Sequence, residues 1–253
     1  MVMTQEGLTT RIIEALGLDV DNSTPKSTPC LKAPLHKDLD GDPMHGNFSY
    51  ASIVGMLLYL AGHSRPDISY SVSQVARFSF APKRSHEAAL KIIGRYLLKT
   101  RDKGLVLTPT RDLNIDSYPD ADFAGLYGYE DSCDPICVRS RTGFVINVAN
   151  CPVLWKSQLQ TETATSTMQA EVIALAACCR ELMPIIDMIE EIGKAVGLTS
   201  TEQTKMHVRI HEDNAGALIL AQTLPPQVTP RSKHYPVKPI GLENSALPDQ
   251  FCS

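Results

Sequence analysis

Three carboxylates stand where the local pattern changes: Asp120 just past a strand-like stretch from Leu113 to Tyr118, Glu171 in the first turn of a helical pattern, and Asp213 just past the alternating Met206, Val208 and Ile210. Carboxylates gathered at strand ends, with no Cys or His alongside, suit hard cations such as Mg²⁺, which take oxygen ligands and keep waters. Two such ions about 4 Å apart support in-line phosphodiester hydrolysis. Each residue also has a plain structural use: Asp120 in a turn, Glu171 against a helix dipole, Asp213 capping a helix. Spacing by itself leaves both uses open.

Other groups are weaker candidates. Cys133 and Cys137 with His207 and His211 suggest zinc only loosely, because neither pair has a close partner at ligand-type spacing. Trp155, the single tryptophan, lies among Val153 and Leu154 in a strand pattern and reads as packing. Lys91, Arg95 and Lys99 recur every four residues and form one stripe on a helix, with Ala89, Ile93 and Leu97 on another. That stripe is either a solvated face or a track for phosphates.

The elements that must position these residues fall into two kinds. A short helix from Leu8 to Leu16 precedes a Pro-, Ser- and Asp-rich loop or linker from Asp21 to Asn47. Tyr50 to Ala61 is too apolar for a surface helix and reads as a core helix. Asp67 is expected to cap the next helix and Ser85 to open a third. From Gly104 the pattern turns to strands: Gly104 to Leu107, Leu113 to Tyr118, then a hairpin of Thr142 to Val148 and Val153 to Lys156 about Asn150, Cys151 and Pro152. Ser166 with Gln169 is a capping-box pattern before a helix that Pro184 is expected to end or kink, with a second helix starting there. A strand and a helix from Asn214 to Ala221 complete an α/β or α+β order, a mixed sheet flanked by helices, with the boundary near Thr108 to Leu113.

Composition narrows the function classes. The 253 residues are 43% apolar and 21% charged, as in ordinary folded domains. A formal charge of −4 excludes a whole-surface nucleic-acid binder, so any such contact must be local. Seven cysteines without framework spacing, with Cys178 and Cys179 inside an apolar run, point to buried thiols in a reducing compartment, cytoplasmic or nuclear. No signal pattern and no apolar run near the roughly 20 residues of a bilayer span occurs, so no membrane association is expected.

Several motifs in order carry a resemblance. Tyr50-Ala51-Ser52-Ile53-Val54-Gly55-Met56-Leu57-Leu58-Tyr59-Leu60-Ala61, Arg65-Pro66-Asp67-Ile68 and Arg95-Tyr96-Leu97 resemble the thumb and connection region of copia-type retrotransposon reverse transcriptases. Asp120-Ala121-Asp122-Phe123-Ala124-Gly125, Arg141-Thr142-Gly143-Phe144, Trp155-Lys156-Ser157, Ala170-Glu171, Asp213-Asn214 and Arg231-Ser232-Lys233-His234 resemble the ribonuclease H domain of the same Pol polyproteins. The resemblance implies an N-terminal segment and linker over 1–48, a helical thumb remnant over 49–110, a ribonuclease H-like domain with a mixed five-stranded sheet over 111–238, and a divergent tail over 239–253. It also implies Asp120, Glu171 and Asp213 as ligands of two Mg²⁺ or Mn²⁺ ions, and His234 close to them. An RNA–DNA hybrid is the implied substrate and the upstream polymerase portion of the element a candidate partner; the locally positive charge pattern, not the resemblance, offers Lys91, Arg95 and Lys99 to the hybrid's phosphates.

The chain departs from the family in places. Pro236 stands where an Asp is usual, two residues after His234, and nothing beyond Lys238 resembles the family. No counterpart of the polymerase's paired aspartates occurs. The expectation is therefore impaired nuclease activity and no polymerisation, with an inert, nucleic-acid-binding remnant as the alternative.

Overall fold

The run Tyr50–His63 is apolar on most sides, but the structure, a computed structural model, buries only one face of it as helix α2 and leaves Leu58 and Tyr59 exposed, so it is not the wrapped core helix that its composition suggests. Residues 1–18, 23–197 and 206–222, and the backbone of 251–252, are described. Ser49 caps α2 by accepting from the Ser52 N–H, and Ile53, Leu57 and Leu60 are almost wholly shielded. Around it pack α1 (Glu6–Ala15), α3 (Ser69–Ala76) and α4 (Arg84–Lys99), whose Leu90, Ile93 and Leu97 enter the same core. Strands β1 (Val2–Met3) and β2 (Leu105–Val106) form a small antiparallel ribbon.

The chain divides into two units: Met1–Leu107 with Leu126–Cys137, and Thr108–Gly125 with Val138–Ser253. In the first, two expected caps have other work. Asp67 accepts from Arg65 Nε at 3.0 Å, Arg65 Nη2 at 2.8 Å and the Tyr96 hydroxyl at 2.7 Å. Arg65 is buried, and an unpaired guanidinium there would cost more than an uncapped helix end, so the carboxylate goes to the charge. The helix α3 follows a short 3₁₀ turn, Pro66–Ile68, with no side-chain cap. Ser85 lies one residue inside α4 and donates to Asp38 instead.

The second unit is a mixed sheet, in accord with the order of strands and helices read from the sequence. Strands β3 (Asn114–Asp122), β4 (Arg141–Val148) and β5 (Cys151–Leu159) run antiparallel in the order β5-β4-β3, and β6 (His207–His211) lies parallel to β3 on its other side. A two-residue strand β7 (Phe251–Cys252) continues beyond β6. Helix α5 (Thr167–Ala195) supplies the crossover that a parallel pair requires. Its Leu175, Cys178 and Leu182 pack on Ile115, Phe144, Ile146, Val208 and Ile210. Helix α6 (Ala215–Gln222) follows β6.

Three expectations are corrected here. The β4–β5 turn is Ala149–Asn150, both at positive φ (48° and 66°), the pattern of a type I′ hairpin turn. Pro152 falls inside β5, an edge strand, where its missing N–H is tolerated. Pro184 neither ends α5 nor opens a second helix; it sits inside one 29-residue helix. Proline removes one backbone bond there, but Leu182, Ile185, Ile186 and Ile189 keep their places against the core on both sides of it. Ser166 caps α5 through the Gln169 N–H at 3.1 Å, whereas the Gln169 side chain accepts from Thr165 rather than completing a capping box. No helix among the described residues is long and apolar enough to cross a membrane.

Candidate metal centre

Two parallel neighbours in register share the placement of alternate side chains. Asp116 lies beside Arg209 and Ser117 beside Ile210. Alternation puts Ile115 and Ser117 of β3, and Val208 and Ile210 of β6, toward α5. Asp116, Tyr118 and Asp120 fall on the other side, as do Arg209, His211 and Asp213. The result is a ladder of cross-strand pairs. Arg209 holds Asp116 through two hydrogen bonds of 2.7 and 2.9 Å. His211 stacks on Tyr118 with ring centroids 4.5 Å apart, and its Nε2 lies 2.9 Å from Asp116. Beyond the paired residues, Asp120 and Asp213 also come together.

Glu171 comes to these two from one turn inside α5. One carboxylate oxygen from each of Asp120, Glu171 and Asp213 lies within 4.8 Å of the others, and this is the one three-residue group of metal-type ligands among the described residues. Asp213 is not the cap of α6. Asn214 does that work, accepting through Oδ1 from the Gly216 and Ala217 N–H groups at 3.0 Å. Asp213 and Asp120 are exposed, while Glu171 is buried.

Sequence reading missed Glu212, which is only 2% exposed. The signal was there: Val208, Ile210 and Glu212 share one parity, so the strand that buries the first two carries the third to the same side. Its Oε1 accepts from the Asn214 N–H at 3.1 Å, and its Oε2 is buried with no partner, as is Oε2 of Glu171. Burial, then the charges of Glu212, Asp120 and Asp213, push the Glu171 carboxyl up to about 7. Burial and the charges of Asp213 and Asp120 also raise Glu212. Crowded acids with shielded, unpartnered oxygens fit a hard divalent cation, which would supply the missing positive charge.

The remaining candidates are placed less favourably. Lys91 is half-buried and pairs with Glu87 at 2.6 Å, and Nε of Arg95 is buried, so of the basic stripe Lys99 alone is exposed. His234 lies outside the described residues. Cys137 is buried in the first unit and Cys133 is exposed.

The Asp116 rung makes a prediction of its own. Burial acts to raise the Asp116 carboxyl, but hydrogen bonds and charge from Arg209 and His211 outweigh it, and the net displacement is downward. A carboxyl lowered in the folded state stabilises above its unfolded value of roughly 3.9, and that contribution is lost as pH falls through the folded value. Asp116→Asn is expected to cost about 1 kcal/mol at pH 7, the worth of a charge-assisted pair with a half-exposed arginine. Urea denaturation at pH 7 and again below pH 3 checks this; a deficit that persists in acid would contradict it.

No protein-family model matches the chain, and no solved structure does. Among curated proteins it is 32% identical over 213 residues, 84% of its length, to the Retrovirus-related Pol polyprotein from transposon RE1 of Arabidopsis thaliana. It is 32% identical over 197 residues, 76% of its length, to the corresponding polyprotein from transposon TNT 1-94 of Nicotiana tabacum. The chain spans only 13% and 14% of these two relatives. A shorter relative, Secreted RxLR effector protein 161 of Plasmopara viticola, is 33% identical over 135 residues, which make up 89% of that protein and 53% of this chain.

Proposed function

We propose, from the premise that this chain belongs to the family of retrovirus-related Pol polyproteins of transposons, that its sheet unit is a ribonuclease H-type module acting on the RNA strand of RNA–DNA hybrids. The observation that carries the reading is the meeting of Asp120, Glu171 and Asp213 within 4.8 Å from β3, α5 and the end of β6. These three would hold Mg²⁺ or Mn²⁺, two ions in the full arrangement, which when bound activate water and neutralise charge on the scissile phosphate.

The chain's own residues do the rest. Asp120 and Asp213 present exposed carboxylates on one side of the sheet, open to a polyanionic substrate only once their charge is compensated. Glu171, shielded beside them, fixes the third ligand direction on a rigid helix. The hybrid would be recognised by groove shape, phosphates and 2′-hydroxyls without sequence preference. In the complete polyprotein the upstream polymerase portion would deliver that hybrid.

A second reading, an inert remnant that retains nucleic-acid or metal binding, is favoured by Pro236 at the position of the family's further acid. A labelled RNA–DNA hybrid incubated with the purified chain and Mg²⁺ separates the two. Slow scission of the RNA strand alone, absent in Asp213→Asn, is the expected result. No scission beyond that variant's background would leave the remnant reading standing and remove the nuclease.

A further inference from the structure

We infer that Glu212 is a fourth acid of the carboxylate centre, acting one layer outside Asp120, Glu171 and Asp213 as the acceptor for a water of the bound cation. This rests on the reading of those three as metal ligands. Glu212 lies at the junction of β6 and α6, 2% exposed, with each oxygen in a different situation. Oε1 accepts the Asn214 N–H at 3.1 Å, which organises the start of α6 next to Asp213. Oε2 is shielded and has no hydrogen-bond partner.

A residue needed only to accept that backbone N–H would be served by glutamine, without the cost of enclosing a carboxylate. The acid makes sense if its second oxygen has a partner when the site is loaded. Its surroundings say which kind. Glu212 exerts the largest charge effect on Glu171, and Asp213 and Asp120 act on Glu212 in turn. No cationic side chain pairs with any of the four among the described residues. Glu212 is not part of the group whose oxygens lie within 4.8 Å, so direct ligation is not what the geometry offers. Mg²⁺ and Mn²⁺ retain waters whose protons need acceptors, and Oε2 is a shielded acceptor on the α5 side of the centre. Glu212 is thus a positioning residue that also adds a negative charge, from a place in the chain unrelated to Pro236.

The test uses the full chain and Mn²⁺ alone as probe, read by calorimetric titration and by the free-ion electron paramagnetic resonance signal. Glu212→Gln keeps a carbonyl for the Asn214 N–H and is expected to weaken Mn²⁺ binding by about tenfold, the lower end of effects from lost outer-layer partners, while the metal-free melting temperature holds or rises. Glu212→Asp, which keeps the charge, should bind more tightly than the Gln variant. Glu212→Gln binding Mn²⁺ like the parent, while Asp213→Asn does not bind it, would overturn the role given to Glu212 and leave the centre intact. Parent-like binding by Asp213→Asn would overturn the metal centre itself, and Glu212 with it.

Discussion

At pH 8 and without divalent cation, Glu171→Gln is expected to melt above the parent chain and to gain nothing when Mg²⁺ or Mn²⁺ is added. The Glu171 carboxyl is raised from 4.5 to about 7, by burial first and then by Glu212, Asp120 and Asp213. Between those values the folded chain holds a proton that the unfolded chain has released, so metal-free stability declines as pH rises from about 4.5 to 7 and stays low above. A displacement of that size corresponds to up to about 3 kcal/mol, which an uncharged glutamine would recover. The parent is expected to recover it on adding metal, because a cation bound only to the folded chain would add about 2.7 kcal/mol at a hundred times its dissociation constant. Thermal melts with and without metal at pH 5.5 and 8 test both halves. A parent chain whose metal-free stability does not fall over that range would contradict the crowding, and a metal gain surviving in the Gln variant would remove Glu171 from the site.

Glu130→Ala should be strongly destabilising in the helical unit, costing about 3 to 5 kcal/mol. The Glu130 side chain is 1% exposed and that of Arg77 12%, and they meet at 2.5 Å. Glu130 also accepts the Lys37 backbone N–H at 3.0 Å. Its removal leaves the guanidinium enclosed with only the Leu35 carbonyl at 2.8 Å and a long contact to Gln74. Replacing both charges, as in Arg77→Met with Glu130→Leu, should cost less than Glu130→Ala alone, because no charge is then stranded. Urea midpoints of the three chains decide it: a double variant less stable than the single would mean that the pair's attraction exceeds its desolvation.

These sites differ in how openly the sequence shows them. Alternation in Met206, Val208 and Ile210 announces β6 and its buried side, whereas the apolar excess of Tyr50–His63 announces a helix but overstates its burial, because Leu58 and Tyr59 stay exposed. Glu212 escaped notice because a Glu beside Asp213 looks like part of a solvated polar stretch, although its parity already placed it on the buried side. The pairing of Arg77 with Glu130 spans 53 residues, and no local pattern reports such a contact. The hairpin turn lies one to two residues before the expected position for a related reason. Turn propensities favour Asn and Pro, but Ala149 is drawn into positive φ, with its N–H bonded to the Asn114 carbonyl and its carbonyl accepting from Thr110. At Pro184 a local rule yields to packing on both sides.

The ladder along β3 and β6 makes the centre sensitive to arithmetic rather than to distance. Side chains on a strand have only two directions, so the rungs from Asp116 to Asp120 stay together only while the number of residues between them is odd. Losing one codon between Asp116 and Asp120 would send the acid to the α5 side even though the sheet still formed, whereas losing two would shorten the strand and keep the acid's direction. An element drifting without selection gains and loses codons without regard to parity. Its acidic rung would therefore fall out of step well before its hydrophobic core failed, and a folded chain of this kind can outlast its carboxylate cluster.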